Sequence, residues 1–236
     1  MTTSKIEWTD ATWNPVTGCT KVSAGCKNCY AEKMTKRLQA MSCEKYKDGF
    51  SIIRTHEDVL QTPFGWKKAK RVFVNSMSDL FHEKVPEEFI QKVFQVMRSN
   101  PQHSFQVLTK RAERLAEISA NLNWPENVWM GVSVENEKCL SRVDLLKRTG
   151  AKVKFLSLEP LLGPLDGLDL NGIDWVIVGG ESGPNARMMN PFWVGDIRDR
   201  CERSNTPFFF KQWSGIRKKT TDCTLEGKTY SELPSI

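Results

Sequence analysis

Short apolar runs alternate with amphipathic, helix-length segments along most of the chain, and this alternation constrains the fold more than any other feature. Six runs rich in β-branched and aromatic residues are predicted strands: RVFVNSM (71–77), SFQVLTK (104–110), VWMGVSV (128–134), VKFLSLE (153–159), DWVIVGG (174–180) and PFFFKQW (207–213). Several are apolar nearly throughout, which is typical of strands covered on both faces. We expect a further strand within residues 6–15.

The segments between these runs are predicted helices. Residues 86–100 begin with Pro86 and two glutamates, and their apolar residues recur at helical spacing. The same pattern is found in 111–122, 136–150 and 192–205, and another helix is expected from about Tyr30 to Met41. Such alternation predicts a parallel α/β sheet with outer helices. Six or seven units are too few for a closed eight-stranded barrel, so a partial (βα)6-type, TIM-like barrel fits best, with a doubly wound sheet as the alternative.

The composition indicates one folded domain. The chain has 236 residues, 39% of them hydrophobic and 26% charged, which suits a single α/β domain spanning 1–236. Within it we expect a ligand-binding loop at 18–30 and a C-terminal extension after about residue 214. No stretch is typical of a signal peptide or approaches the roughly 20 apolar residues that cross a bilayer. We therefore expect a cytoplasmic protein without a membrane partner.

Polar residues follow almost every predicted strand at the point where it ends. In parallel α/β folds these carboxyl ends form one edge, where ligands bind. The alternative is that the residues only begin loops and cap helices. Charged side chains directly after buried runs must lie at an edge or be paired, which favours a shared polar cavity. The charged members of the set include Lys110, Arg111, Glu159, Glu181 and Lys211.

The strongest local signal is GCTKVSAGCKNCYAEKM (18–34), which contains Cys19, Cys26 and Cys29. Thiolates are ligands for zinc or for iron–sulfur clusters, and three on one loop can hold three irons of a 4Fe–4S cubane. A structural zinc site needs a fourth ligand, which would have to come from a histidine (His56, His82 or His103) or a distant cysteine. The scattered Cys43, Cys139, Cys201 and Cys223 are expected to behave as small apolar residues.

This loop, with Tyr30 after the third cysteine, resembles the cluster-binding loop of the radical S-adenosylmethionine (radical SAM) superfamily. Its Cys26–Cys29 gap is the usual one, and its Cys19–Cys26 gap is longer than usual. The chain from about Ile6 to Gly215 resembles a phage-associated, radical-SAM-like family with a three-cysteine motif. The resemblance lies in WTDATWNPVTGC, VNSMSDLFH, FQVLTKR, GVSVEN, LSLEPLLGP, VGGESGP and FFFKQW.

The resemblance implies a 4Fe–4S cluster on the three cysteines and S-adenosylmethionine on its open iron. An electron donor would then allow formation of a 5′-deoxyadenosyl radical that attacks a substrate. By position, the cofactor's amino group would meet Asn75, Ser76 and Asp79, its ribose Ser133 and Glu135, and its adenine Gly179 and Gly180. The catalytic side chains would be Lys110, Glu159, Glu181 and Lys211, and Arg111 would join them as a candidate for substrate contact.

Nucleic acid is the leading candidate for the substrate, as DNA or RNA undergoing a lyase, repair or modification reaction, and peptides and small metabolites are the alternative substrate classes. FQVLTKR resembles the DNA photoproduct lyase branch, and the net charge is +6 with basic runs at 66–71, 109–114 and 217–219. Exposed tryptophans would stack on bases, with Trp66, Trp129 and Trp213 as candidates and Trp175 expected in the core. The alternatives are a solvated basic face, a zinc-stapled nucleic-acid-binding module, and a barrel that binds a partner without catalysis.

Overall fold

Seven parallel strands form one sheet in the computed structural model, which describes residues 4, 6–215 and 223–234. A short antiparallel ribbon of two strands precedes most of this sheet in the chain. The strands are β1 (Ala11–Trp13), β2 (Val16–Thr17), β3 (Arg54–Thr55), β4 (Arg71–Val74), β5 (Ser104–Thr109), β6 (Val128–Ser133), β7 (Val153–Leu158), β8 (Trp175–Gly179) and β9 (Phe208–Gln212).

The strand order distinguishes the two predicted architectures. The sheet runs β1-β4-β5-β6-β7-β8-β9, so each strand pairs in parallel with the next one of the sheet along the chain. A doubly wound sheet reverses its order at a switch point, and no reversal occurs here. The sheet curls into an open half-barrel, which confirms the partial TIM-like barrel. All six predicted strands are present, and β1 lies within the segment expected for the first strand.

Within the part of the chain that the structure describes, five helices accompany the strands: α1 (Tyr30–Ala40), α2 (Glu87–Arg98), α3 (Ala112–Ile118), α4 (Ser141–Lys147) and α5 (Pro191–Ser204). Each lies within a predicted helix or differs from it by one residue at an end. Short 3-10 turns complete the segments around α3 and α4. Among the described residues, no helix has the length and apolarity needed to span a membrane.

The alternation of side chains along the strands separates two apolar cores. The larger core lies between the sheet and its helices. The smaller one fills the concave face and contains Trp8, Trp129, Phe155, Trp175, Ile177 and Phe209. Trp175 is 0% exposed, as predicted, but Trp129 is only 2% exposed. The prediction of Trp129 as an exposed stacking residue was wrong, because its position in β6 points it into the concave face. The other two candidates, Trp66 and Trp213, are partly buried and pack against the larger core.

The carboxyl edge of the sheet positions the cysteine loop, residues 18–29. Gly18 bridges to Ser78, which follows β4, and the Cys19 amide donates to the Phe50 carbonyl at 2.7 Å. The basic run 66–71 leads into β4 and therefore lies at the opposite, amino edge. The run 109–114 follows β5 at the carboxyl edge, and the run 217–219 lies outside the described residues.

Candidate functional site

All three predicted ligand cysteines border one cavity of about 210 Å³ at the carboxyl edge. None of Cys19, Cys26 and Cys29 is in a disulfide, and each is partly exposed. Six other residues predicted for the site border the same cavity: Asn75, Ser76, Asp79, Lys110, Arg111 and Ser133. The structure thus brings together, in one space, residues that the sequence separates by more than a hundred positions.

The buried Arg111 fixes the start of the cysteine loop. Its guanidinium donates to the Cys19 sulfur at 3.5 Å, to Asp79 at 3.3 Å, and to the Thr20 carbonyl at 3.1 Å. Glu83 accepts two further bonds from Arg111. Burial, with a smaller contribution from Asp79, raises the pKa of the Cys19 thiol to about 11, while Arg111 opposes this shift. Arg111 was predicted to contact substrate, but all of its donors are directed to the protein itself.

Glu135 fixes the middle of the loop from the end of β6. This carboxylate is fully buried and accepts bonds from Ser23 at 2.6 Å, from Cys139 at 2.9 Å and from Arg142 at 3.0 Å. Burial alone would raise the pKa of Glu135, but Lys110 and these hydrogen bonds lower it. The carboxylate is therefore an anion with its oxygens already engaged.

Glu181 fixes the end of the loop from beyond β8. It accepts from Asn28 at 2.9 Å and pairs with Arg187, whose side chain also donates to the Ala24 carbonyl at 2.9 Å. Burial would raise the pKa of Glu181, but the bonds from Arg187 and Asn28 lower it to about 2. We call this contact between residues 181–187 and the cysteine loop the clasp. Nothing in the sequence singled out Asn28, Arg142 or Arg187 for these contacts.

Asn75 has an unsatisfied donor at the cavity. Its backbone adopts a left-handed conformation with φ of 61°, which asparagine tolerates better than most residues. Its Oδ1 accepts from the Val16 amide at 3.1 Å, but its buried Nδ2 has no partner among the described residues. A buried donor without an acceptor costs free energy, so its presence at a cavity indicates a place for a ligand acceptor. Its neighbour Ser76 instead donates to Asn14 at 3.2 Å.

The concave face ends in a second group of polar side chains. Lys110 donates to Ser133 at 2.9 Å and lies 3.9 Å from Glu135. Lys211 forms a 2.7 Å ion pair with Glu159, and both side chains are more than four-fifths buried. These residues continue the inward-facing positions of their strands, so they lie around the same opening of the half-barrel.

The two glycines predicted to contact a cofactor, Gly179 and Gly180, lie close to other residues of the chain. A Cβ on Gly179 would lie 2.7 Å from a Glu159 oxygen, and one on Gly180 would lie 2.4 Å from the Ser214 nitrogen. Gly180 therefore needs glycine, because backbone would obstruct a Cβ there, whereas at Gly179 the Glu159 side chain would have to move. The expected contact of these residues with adenine stays a prediction.

The donors do not form a site for a single metal ion. Among residues 4, 6–215 and 223–234, no three His, Cys, Asp or Glu side chains are placed to hold one ion. The histidines have other contacts: His56 bonds to Thr17 at 2.8 Å, His82 to Thr20 at 2.9 Å, and His103 stacks edge-on against Trp66. The fourth ligand required by the zinc alternative is thus not assembled in the part of the chain that the structure describes.

The fold and site define a partial α/β barrel with a three-thiol cavity at the carboxyl edge of its strands. The chain belongs to the family described as "Protein of unknown function (DUF5131)", whose model matches residues 3–234. No curated protein matches the chain. Among solved structures, it is similar to a mutant of spore photoproduct lyase with 13% sequence identity and a TM-score of 0.48. That match covers 75% of this chain and 57% of the lyase chain.

Proposed function

We propose that the chain is a radical SAM enzyme that holds a 4Fe–4S cluster on Cys19, Cys26 and Cys29. The main support is that three thiols of one short loop, none of them in a disulfide, border a single cavity over the carboxyl edge of a half-barrel. When bound, the reduced cluster would supply the electron that cleaves S-adenosylmethionine. The electron donor would be a separate partner, and the cytoplasmic location and phage association stay predictions.

The donor set fits a cluster better than a single ion. In a cubane each thiolate binds a different iron, so the sulfurs stand further apart than around one zinc ion. This agrees with three cysteines that share a cavity but are not placed around one ion. Arg111 would stabilise the Cys19 thiolate, because a hydrogen bond from a guanidinium favours the charged form of its acceptor.

The remaining cavity residues suit the polar end of S-adenosylmethionine. Asn75 offers a buried Nδ2 donor and Lys110 a nearby ammonium, and together they would bind a carboxylate. The free donor of Asn75 fits the carboxylate of the cofactor better than the amino group first expected. Ser133 would then hold Lys110 in place. The Glu159–Lys211 pair stays on the concave face as the candidate for substrate contact.

Anaerobic reconstitution with iron and sulfide tests the proposal. We expect brown protein with the broad visible absorbance of an iron–sulfur cluster and release of 5′-deoxyadenosine from S-adenosylmethionine on reduction. Cys26→Ala and Cys29→Ala should lose the iron, since a three-thiolate site has no spare ligand. Cys43→Ala is the matched control, because Cys43 is partly buried like the others but does not border the cavity. Colourless protein with one bound zinc would refute the proposal.

A further inference from the structure

Most of the net positive charge of the chain lies in the segment that contains the cysteines. Residues 18–54 include eight Lys and Arg residues but three Asp and Glu residues, a net charge of +5, whereas the whole chain has a net charge of +6. The basic run 66–71 lies at the opposite edge of the sheet. The excess of cations therefore lies mostly in the segment that carries the cysteine loop.

Three cations of this segment are free to bind a ligand. Lys21 and Lys36 both pair with Glu32, at 3.2 Å and 3.6 Å. Lys27, Lys33 and Arg37 are exposed, and their side chains have no ion pair or hydrogen bond with any residue that the structure describes. Exposed, unpaired cations of this kind are available to phosphate groups.

Two of these cations share a helix face with an exposed aromatic residue. Tyr30, Lys33 and Arg37 are spaced i, i+3 and i+7 on α1, which places them on one face over roughly 10 Å. Tyr30 borders the cavity next to Cys29 and is 63% exposed. The Lys33 ammonium lies 3.5 Å from the position that a Cβ on Gly183 would occupy, so it reaches the loop after β8.

The clasp leads into two more exposed apolar side chains. Met188 directly follows Arg187 and is 77% exposed, and Phe192 in the first turn of α5 is 85% exposed. Met188 is therefore adjacent to a residue that contacts the cysteine loop, and Phe192 follows four positions later, at the start of a helix that begins on the carboxyl side of β8. We call this set of cations and apolar residues the mouth surface: Lys27, Tyr30, Lys33, Arg37, Met188 and Phe192.

We propose that the mouth surface binds single-stranded nucleic acid and presents an unpaired base to the cavity. Unpaired lysines and arginines would contact successive phosphates, and Tyr30 would stack on a base at the entrance. Alternating cations and exposed aromatics are typical of surfaces that bind single strands without base-specific hydrogen bonds. The inference names the substrate class of the proposed enzyme and so rests on the proposed function, although binding itself does not require the cluster.

Fluorescence anisotropy with a labelled single-stranded DNA of mixed sequence, titrated at several salt concentrations, tests this proposal. The triple variant Lys27→Gln/Lys33→Gln/Arg37→Gln should lower the slope of log affinity against log salt by about 2, because each phosphate contact on a single strand contributes about 0.7. Tyr30→Ala should weaken binding about 5- to 150-fold, the loss of one stacked base. The matched control removes three charges at the opposite edge, Lys67→Gln/Lys68→Gln/Lys70→Gln, and should leave the salt slope unchanged.

Three results would refute the nucleic-acid proposal, and iron analysis distinguishes its failure from failure of the proposed function. The proposal is refuted if the control triple weakens binding as much as the mouth triple, or if the duplex binds more tightly than the single strand. It is equally refuted if the mouth triple loses binding to anionic vesicles or to an acidic peptide but retains the oligonucleotide. Measuring iron content and binding on the same preparations keeps the two apart. Iron without mouth-dependent binding rejects the nucleic-acid proposal alone, and mouth-dependent binding without iron rejects the radical chemistry alone.

Discussion

Replacement of Gly25 with alanine adds one methyl group, and this group should disturb the packing of the cysteine loop against Glu135. A Cβ at this position would lie 2.4 Å from a Glu135 oxygen, about 1 Å closer than the 3.4 Å at which ordinary contact begins. Glu135 cannot retreat easily, because Ser23, Cys139 and Arg142 all hold its carboxylate within 3.0 Å. Either the loop must rise from the sheet or one of these bonds must lengthen.

The expected cost follows from both possibilities. Overpacking a rigid site costs about 1–3 kcal/mol. Losing one hydrogen bond to a charged group costs about 1.5–3 kcal/mol. We therefore expect Gly25→Ala to lower the free energy of unfolding by about 2 kcal/mol, which corresponds to a fall in Tm of about 4–8 °C for a domain of this size. Iron retention after reconstitution should fall as well, because Cys26 is the next residue.

Urea denaturation of Gly25→Ala and of two control variants, Gly195→Ala and Gly65→Ala, measures this effect. Gly195→Ala lies inside α5 with nothing within 4 Å of its new Cβ, so it should stabilise the protein by about 0.5–1 kcal/mol. Gly65→Ala is also free of contacts and should be nearly neutral. In the background of Glu135→Ala, the same Gly25→Ala change should cost much less. An unchanged unfolding free energy for Gly25→Ala alone would refute the steric argument.

Three further substitutions test other contacts. Arg111→Gln should cost about 3–5 kcal/mol in urea denaturation, because Asp79 is left buried without its ion-pair partner, and Arg111→Lys should recover only part of this. Glu181 has a pKa lowered to about 2, so it stabilises the fold fully above about pH 4.5 and loses this effect as the pH falls toward 2. Glu181→Gln should therefore flatten the loss of stability between those pH values, and an unaltered acid profile would contradict the clasp. Lys211→Met should destabilise the protein more than Glu159→Gln/Lys211→Met does, as measured by urea denaturation, because the double variant leaves no unpaired charge.

The sheet could be predicted from the sequence because its strands are buried on both faces. A short, continuous apolar run such as DWVIVGG predicts a strand that is buried on both faces, and β8 lies within this run. The choice of a half-barrel over a doubly wound sheet depended on strand order, which periodicity does not contain. That order is a property of how neighbouring units pack, and only the structure reports it.

The candidate site was predictable in location but not in its contacts. The rule that parallel strands place their carboxyl ends at one edge brought Asp79, Lys110 and Ser133 to the cysteines as expected. Arg142 and Arg187, in contrast, lie on helical or irregular segments where an arginine is usually a solvated residue. The prediction for Trp129 was wrong for a related reason, because the sequence of a strand that is apolar on both faces does not indicate toward which face a tryptophan points.

The polar strand ends divide into two sets by strand, and this division assigns them different tasks. The segments after β4, β6 and β8 supply a buried carboxylate each, and each is paired with one arginine: Asp79 with Arg111, Glu135 with Arg142, and Glu181 with Arg187. The ends of β5, β7 and β9 supply residues of the concave face, whose side chains keep 23%, 16% and 18% exposure: Lys110, Glu159 and Lys211.

Because each carboxylate of the first set is paired with an arginine, the set contributes little net field to the cavity, and its side chains hold the cysteine loop. Lys110 and the cations at the mouth then supply the positive charges that face a ligand. Substitutions in the carboxylate–arginine set should therefore change stability and iron retention together. Substitutions at Lys110 should lower turnover of S-adenosylmethionine while iron content stays intact, which chemical analysis of the same preparation would separate.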